Sequence, residues 1–173
     1  MASTAAWYED NGAATGSPAQ GATRGAAPNG DFKSVDDVAT PRASARIIAG
    51  QHSYHKYRFV RFTGTFNEIS AGKFAHTAGA LGAGLTIVGK VSSTYATPAR
   101  SVLDGTTDIS AVTAIDSGFT VLFSTTGPQA ASPTANLTAA GYTQYIVTQL
   151  QTQPSAAAGN IGDKTMSFQW NEN

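Results

Sequence analysis

The chain has 173 residues, no cysteine, and 11 basic against 11 acidic side chains, so its formal net charge is zero. Without cysteine it holds no disulfide framework, no thiolate zinc site and no thiol nucleophile. Without a basic excess it lacks what a nucleic-acid binder brings to phosphates, and no nucleic-acid partner is expected. Charged residues are 13% of the chain, about half the usual ~25%. Such a neutral surface, rich in Ser, Thr, Ala and Gly, favours association over staying monomeric.

The opening stretch from Met1 to Asp10 has no basic n-region and no apolar core, so no secretory leader is expected. No stretch approaches the roughly 18 apolar residues of a membrane span. The expectation is a protein made in a cytoplasm, with no membrane partner.

Residues 1–45 read as an extended, Gly/Ala-rich arm, and residues 46–173 as one folded domain. From Asn11 to Gly30 the chain is almost entirely Gly, Ala, Ser, Thr, Pro, Gln and Asn, with Arg24 its one charge before Asp31. That composition buries too little apolar surface to offset the entropy of ordering it. Trp7 and Tyr8 at its far end, with Phe32 further on, suggest a strap whose aromatics dock on a neighbouring subunit.

Beyond residue 46 the preference is for strands. Tyr57 to Phe66 is dense in aromatic and β-branched residues. Lys73 to Thr77 is a shorter candidate. Leu85 to Val91 alternates with period two, Phe119 to Ser124 places Phe119, Val121 and Phe123 on one face, and Tyr142 to Gln151 sets Tyr142, Ile146 and Leu150 among Thr and Gln. The cleanest alternation is Lys164 to Trp170, with Met166, Phe168 and Trp170 on one face. Gly, Pro, Asn and Ser clusters separate these runs. Val102 to Ala114 and Thr134 to Ala140 are the two places for a short helix. The expected fold class is all-β, a β-sandwich or jelly-roll-like barrel.

The motifs that could carry chemistry are weak. Gly84 to Val91 matches Gly-x4-Gly-Lys but ends in Val91, where a phosphate loop needs a hydroxyl for magnesium, and its interior alternates like a strand. His52 and His55, three apart, would face opposite sides of a strand, and His76 stands alone. Asp104, Asp108 and Asp116 lack the alternating ligands of a calcium loop. Glu68 and Asp104 would need the fold to bring them together before they could act as a carboxylate pair. No Gly-x-Ser-x-Gly elbow is present, and Asn136-Leu137-Thr138 is a glycosylation sequon without a leader. Tyr54, Tyr57, Phe59 and Phe62 interleave with Lys56, Arg58 and Arg61, a pattern seen at single-stranded nucleic-acid sites, but here read as a strand with a core face and an interface face. The expectation is therefore no enzyme, no catalytic residue, no cofactor and no metal.

Trp7-Tyr8-Glu9-Asp10-Asn11-Gly12 with its Gly/Ala/Thr tail, the run Phe62-Thr63-Gly64-Thr65-Phe66-Asn67 leading to Phe74-Ala75-His76-Thr77, and the Cys-free composition carry a resemblance. In these the chain resembles the small structural proteins of tailed-bacteriophage virions. The resemblance implies a capsid decoration (cement) or head accessory protein of the virion, β-rich and often trimeric. Its implied partners are the major capsid protein and other copies of itself, and it has no catalytic residues. The competing expectation is a receptor- or carbohydrate-binding module of a tail or fibre, with Tyr54, Tyr57 or Trp170 as its aromatic platform.

Overall fold

A computed structural model describes residues 2–27, 31–157 and 163–173. In chain order the strands are β1 (Ser3–Thr15), β2 (Gln20–Ala26), β3 (Lys56–Gly64), β4 (Ile69–Ala78), β5 (Leu85–Ser92), β6 (Thr107–Asp108), β7 (Phe119–Thr120), β8 (Phe123–Ser124), β9 (Gly141–Thr143), β10 (Tyr145–Thr152) and β11 (Thr165–Glu172). Two single 3-10 turns, Arg42–Ser44 and Ile115–Ser117, are the only helical elements among the described residues.

The strands form a β-sandwich of two antiparallel sheets. The larger sheet runs β2-β1-β3-β10-β5-β6, with β9 and β8 attached beside β3. The smaller runs β11-β4-β7. The alternation read from the sequence explains which faces meet. Val60 and Phe62 of β3 point to the smaller sheet and pack with Ile69, Phe123 and Leu137. Ile146 of β10 joins Phe74 of β4 and Val121. Trp7, Phe168 and Met166 close the layer, with Trp7 edge-on to Phe74 at 6.3 Å and to Phe168 at 6.1 Å.

The opposite face of the larger sheet is also buried. Tyr57 and Phe59 of β3, Tyr145 and Val147 of β10 and Val88 of β5 pack under Tyr95 and Leu103 from the connection between β5 and β6. That connection is fastened to the sheet. Gln149 accepts from the Leu103 N–H (3.0 Å) and donates to the Ser101 carbonyl (2.8 Å), and the Tyr95 hydroxyl donates to the Gly12 carbonyl (2.8 Å). β3 and β10 are buried on both faces although neither is a continuous apolar run, since Lys56 and Arg58 of β3 and Thr148 and Gln149 of β10 are buried with their apolar residues.

A bulge shapes the smaller sheet. Lys73 faces Gln169 and Ser70 faces Asn171, so Ala71 and Gly72 together stand opposite Trp170. Ala71 takes the left-handed conformation at φ 53. Gly72 must be glycine, because a Cβ there would lie 2.6 Å from the Val121 carbonyl oxygen and 2.8 Å from Phe123.

Three expectations need correction. Among the described residues of 1–45, the expected extended arm is instead packed on the rest of the chain. Residues 3–26 form a hairpin, and β1 lies along β3 from Ser3 opposite Gly64 to Asp10 opposite Tyr57. The connection after residue 30 returns Ser34 and Lys33 to hydrogen bonds with Ala45 and Tyr54. The small side chains that argued against burial are what let β1 lie flat along β3, and its polar residues find partners described below. No helix forms at Val102 to Ala114 or at Thr134 to Ala140. Each instead carries strand-like pairing, Thr107–Asp108 as β6 and Leu137 bridging Ile69. Phe119 to Ser124 is not one strand but two, since β7 pairs with β4 and β8 with β9. The chain changes sheets at Val121, whose N–H donates to the Gly72 carbonyl at 2.9 Å.

Deleting residues 1–27 therefore removes two strands of the core sheet and bares the edge of β3. The truncated chain is expected to lose its cooperative thermal transition, followed by circular dichroism, and to aggregate. A truncation that melts like the full chain would mean that the hairpin is dispensable.

Candidate functional site

The densest polar constellation lies where β1 meets β3. Period two puts Trp7, Glu9 and Asn11 on one face of β1, and Lys56, Arg58 and Val60 on the same face of β3. The apolar half of this face is covered by the smaller sheet; the polar half is covered by residues 31–40. Glu9 is opposite Arg58. One oxygen of Glu9 accepts from Lys56 Nζ (2.9 Å) and Asn11 Nδ2 (2.8 Å), and the other accepts from Arg58 Nε (3.0 Å). Glu9 is 2% exposed and Lys56 0%. Arg58 also donates to the Asp31 carbonyl (3.2 Å), and its guanidinium lies 5.6 Å from the Phe32 ring. Asp36 accepts from Asn11 Nδ2 (2.9 Å) and from the Gly12 N–H (2.7 Å), which fastens the covering segment to β1.

Asp10, the next residue, points to the other face. Arg24 of β2 grips it through Nε (2.7 Å) and Nη2 (2.8 Å), and the Tyr145 hydroxyl donates to the same carboxylate. The Arg24 guanidinium also lies 4.6 Å from the Phe59 ring centre.

The electrostatics follow from this geometry. Burial pushes the Glu9 carboxyl up, but Arg58 and Lys56, with the Asn11 amide, outweigh it, so Glu9 titrates below the ordinary carboxylate value. Burial lowers the Lys56 ammonium, and Glu9 offsets only part of that. Burial, reinforced by the Asp10 carboxylate, raises the Tyr145 phenol. The Asp10 hydrogen bonds, against the cost of burial, raise Arg24. Both oxygens of Glu9 and both of Asp10 are occupied by donors of this chain. Such a network of charge-assisted hydrogen bonds orients the strands that carry it. A pocket of about 170 Å³ beside it is lined by Glu9, Lys33, Asp37 and Thr40 among others. Lys33 is itself engaged, with the Thr40 carbonyl (2.9 Å) and Asp37 (3.4 Å).

A second concavity lies elsewhere, an open groove of about 540 Å³ along β11 and β4, walled by Thr113 to Ile115. Ser167 and Gln169 alternate with the inward Met166, Phe168 and Trp170, so they lie on the outer face, beside Thr77. The Thr77 and Ser167 hydroxyls pair at 2.6 Å. The lining is hydroxyl, amide and apolar, without a charge.

The residues expected at a subunit contact all engage their own chain. Trp7 sits half-buried between the sheets, Tyr8 stacks on Phe59 with ring centres 5.7 Å apart, and Phe32 lies under Arg58. The interleaved cations of β3 divide. Lys56 and Arg58 turn inward to Glu9, so the face read as an interface is mostly buried; Arg61 alone stays exposed, 5.8 Å from the Tyr142 ring. Tyr57, one of the three aromatics considered for a ligand platform, is 5% exposed and belongs to the core.

The remaining motif residues are also placed. Gly84 to Val91 leads straight into β5. His55 pairs with the Ser101 carbonyl (2.9 Å), His52 with the Thr152 N–H (3.3 Å), and buried His76 with carbonyls of Ser110 and Ala78. Asp104 meets Lys90 through its carbonyl, Asp108 caps the Ser110 N–H, and Asp116 lies in the second 3-10 turn. Glu68 accepts from Asn136, the sequon residue, and no hydrogen bond among the described residues links it to Asp104. No three His, Asp or Glu side chains among the described residues could hold a metal ion together.

The buried network went unseen in the sequence, although complementary charges at Glu9, Asp10, Arg24, Lys56 and Arg58 were a signal for cross-strand pairing. Compared with known proteins, the chain matches no family model, no curated protein and no solved structure.

Glu9→Ala leaves Lys56 and Arg58 buried without their counter-charge and is expected to cost about 3–5 kcal/mol in chemical denaturation. The folded Glu9 titrates below its unfolded value of 4.5. Its contribution is thus complete above pH 4.5 and is lost as pH falls through the lower folded value. His55, lowered chiefly by burial from 6.5, gives a separate loss that begins as pH drops below 6.5. Glu9→Gln should flatten the lower step of the stability profile and leave the upper one in place.

Proposed function

We propose that this chain is a structural protein of a tailed-bacteriophage virion, one that decorates and stabilises the capsid by packing against the major capsid protein and against copies of itself. The observation that carries this reading is the low-charge surface. A chain with 13% charged residues and zero net charge turns Glu9, Asp10, Lys33, Lys56 and Arg58 inward. It leaves Val38, Ile48, Val102 and Val112 standing exposed, Ile48 at 66%. Such a surface suits close packing among protein neighbours.

Two of these aliphatics sit near one end of the sandwich. The carbonyl of Ile48 accepts from Thr152 at the end of β10, and the carbonyl of Ser101, beside Val102, accepts from Gln149 of the same strand. A weak contact there is enough for a decoration protein, because many copies on one lattice act together.

The test is co-sedimentation of the purified protein with undecorated shells of its own virus. Binding is expected, and Ile48→Asp with Val102→Asp should weaken it by about tenfold or more while shifting stability by no more than ~0.5 kcal/mol, as surface substitutions do. Failure of the unaltered protein to sediment with shells would overturn the reading.

The groove favours one second reading, a receptor- or carbohydrate-binding module of a tail or fibre. Trp170 beside Gln169, Ser167 and Thr77 offers an aromatic surface next to neutral hydrogen-bonding groups, the combination that sugars use. On a glycan array this reading expects capture that Trp170→Ala abolishes. An array without signal removes it.

A further inference from the structure

The sandwich manages its strand edges unequally. On the larger sheet β6 is two residues long, and β2 is a Gly/Ala/Thr strand with no apolar row. On the smaller sheet β7 is also two residues long. β11 is different. It runs eight residues, pairs with β4 on one side, and has no strand on its other side among the described residues. It holds no proline and no lysine, and both register shifts of its pairing with β4, at Thr77 and at Ala71–Gly72, place the extra residue on β4, not on β11. Its inward row, Met166, Phe168 and Trp170, is only half-buried. A long regular edge with an apolar row is a template for another strand, which proteins otherwise blunt with charge, proline, bulges or brevity.

We infer that β11 pairs antiparallel with β11 of a second copy, about a two-fold axis through Phe168, to make one continuous six-stranded sheet. The choice of partner comes from register. In an antiparallel pair, residues directly opposite share a face, so a symmetric pairing must centre on a residue; centring between residues sets the apolar row against the polar one. Centring on Gln169 puts Met166 opposite Glu172. Centring on Ser167 puts Lys164 opposite Trp170. Centring on Phe168 puts Lys164 opposite Glu172, Met166 opposite Trp170 and Ser167 opposite Gln169. Only this last register matches charge with opposite charge and apolar with apolar at every such position, and two-fold symmetry makes each match twice. Glu172 already accepts from the Ser3 N–H (2.7 Å) and hydroxyl, which holds its carboxylate at the end of the strand. The pairing also extends the layer formed by Trp7, Phe62 and Phe168 across the axis. The inference does not depend on the capsid reading, since it concerns the free protein.

The test is the mass of the full chain by sedimentation equilibrium over a range of concentrations. A monomer–dimer equilibrium is expected. Glu172→Lys sets two lysine pairs opposite each other and should raise the dissociation constant roughly tenfold, as should Lys164→Glu. The double exchange, Lys164→Glu with Glu172→Lys, should restore it. Glu172→Lys and the double exchange both lack the Ser3 contact, so rescue of the first by the second cannot come from local folding. Within one chain residues 164 and 172 are about 26 Å apart at ~3.3 Å per residue, too far to rescue each other. In this cysteine-free chain, Ser167→Cys with Gln169→Cys should oxidise to a covalent dimer, because opposed residues lie within disulfide reach. A single monomeric mass at every concentration, an odd-numbered oligomer, or a dimer indifferent to charge reversal would each overturn the pairing.

Discussion

Glu9 is the residue on which the larger sheet turns. A carboxylate at 2% exposure is costly unless its charge is met, and it is met twice, by Lys56 and Arg58. The three side chains can meet only when Glu9 stands opposite Arg58. Sliding β1 by one residue would send Glu9 to the face of Phe59 and bring Asp10 against Lys56 and Arg58 with Arg24 left behind. A slip of that kind costs little in a strand of alanine and threonine, where packing distinguishes registers weakly. In β1 the charges supply the distinction. Asp10, clamped by Arg24 and Tyr145 on the opposite face, repeats the constraint, so the strand is fixed from both sides of the sheet.

That arrangement explains how much of the fold could be read in advance. The strands of the core, β3, β5, β10 and β11, announce themselves because they are rich in aromatic or β-branched side chains or alternate. β1 and β2 do not, because their stabilisation is not apolar. After Gln20, β2 is glycine, alanine and threonine around one arginine, and its reason for being a strand is Arg24's reach to Asp10, 14 residues back in sequence. Composition says that such a segment cannot bury enough hydrocarbon to order itself, and that is true. It is ordered by the contact of Arg24 with Asp10, 14 residues away, and β1 in turn by contacts of Glu9 with Lys56 and Arg58, 47 and 49 residues away in sequence, which no local pattern contains.

The same limit applies to the candidate sites. Trp7 and Tyr8 looked like anchors for another subunit because the segment around them looked unattached. Once β1 is part of the sheet, adjacent residues must face opposite ways, and the two rings are divided between the two layers of core. Lys56 and Arg58 looked like surface cations because they alternate with aromatics, yet period two places them on the face that Glu9 occupies. The groove beside β11 was only half visible. The alternation of Met166, Phe168 and Trp170 was plain, but the wall contributed by Thr113 to Ile115 depends on the Thr113 N–H reaching the His76 carbonyl, a contact between loops and strands that spacing does not reveal.

The inward turn of the charges also changes what the outside offers. Charged side chains are scarce in this chain, and several of them are spent on the interior, so the solvent-facing surface is more neutral than composition alone implies. Repulsion between copies is then weak, and contact between them is governed by shape, by backbone edges and by a few aliphatic groups. In ordinary soluble proteins such a surface is a liability that charge is used to suppress. Here several of the residues that could suppress it, Glu9, Asp10, Lys56 and Arg58, are committed to holding β1 in register. A fold that places several of its few ionic groups inside and leaves an eight-residue strand edge and exposed valines outside is physically suited to neighbours at close quarters, and this links the packing of one hairpin to the assembly role proposed for the whole chain.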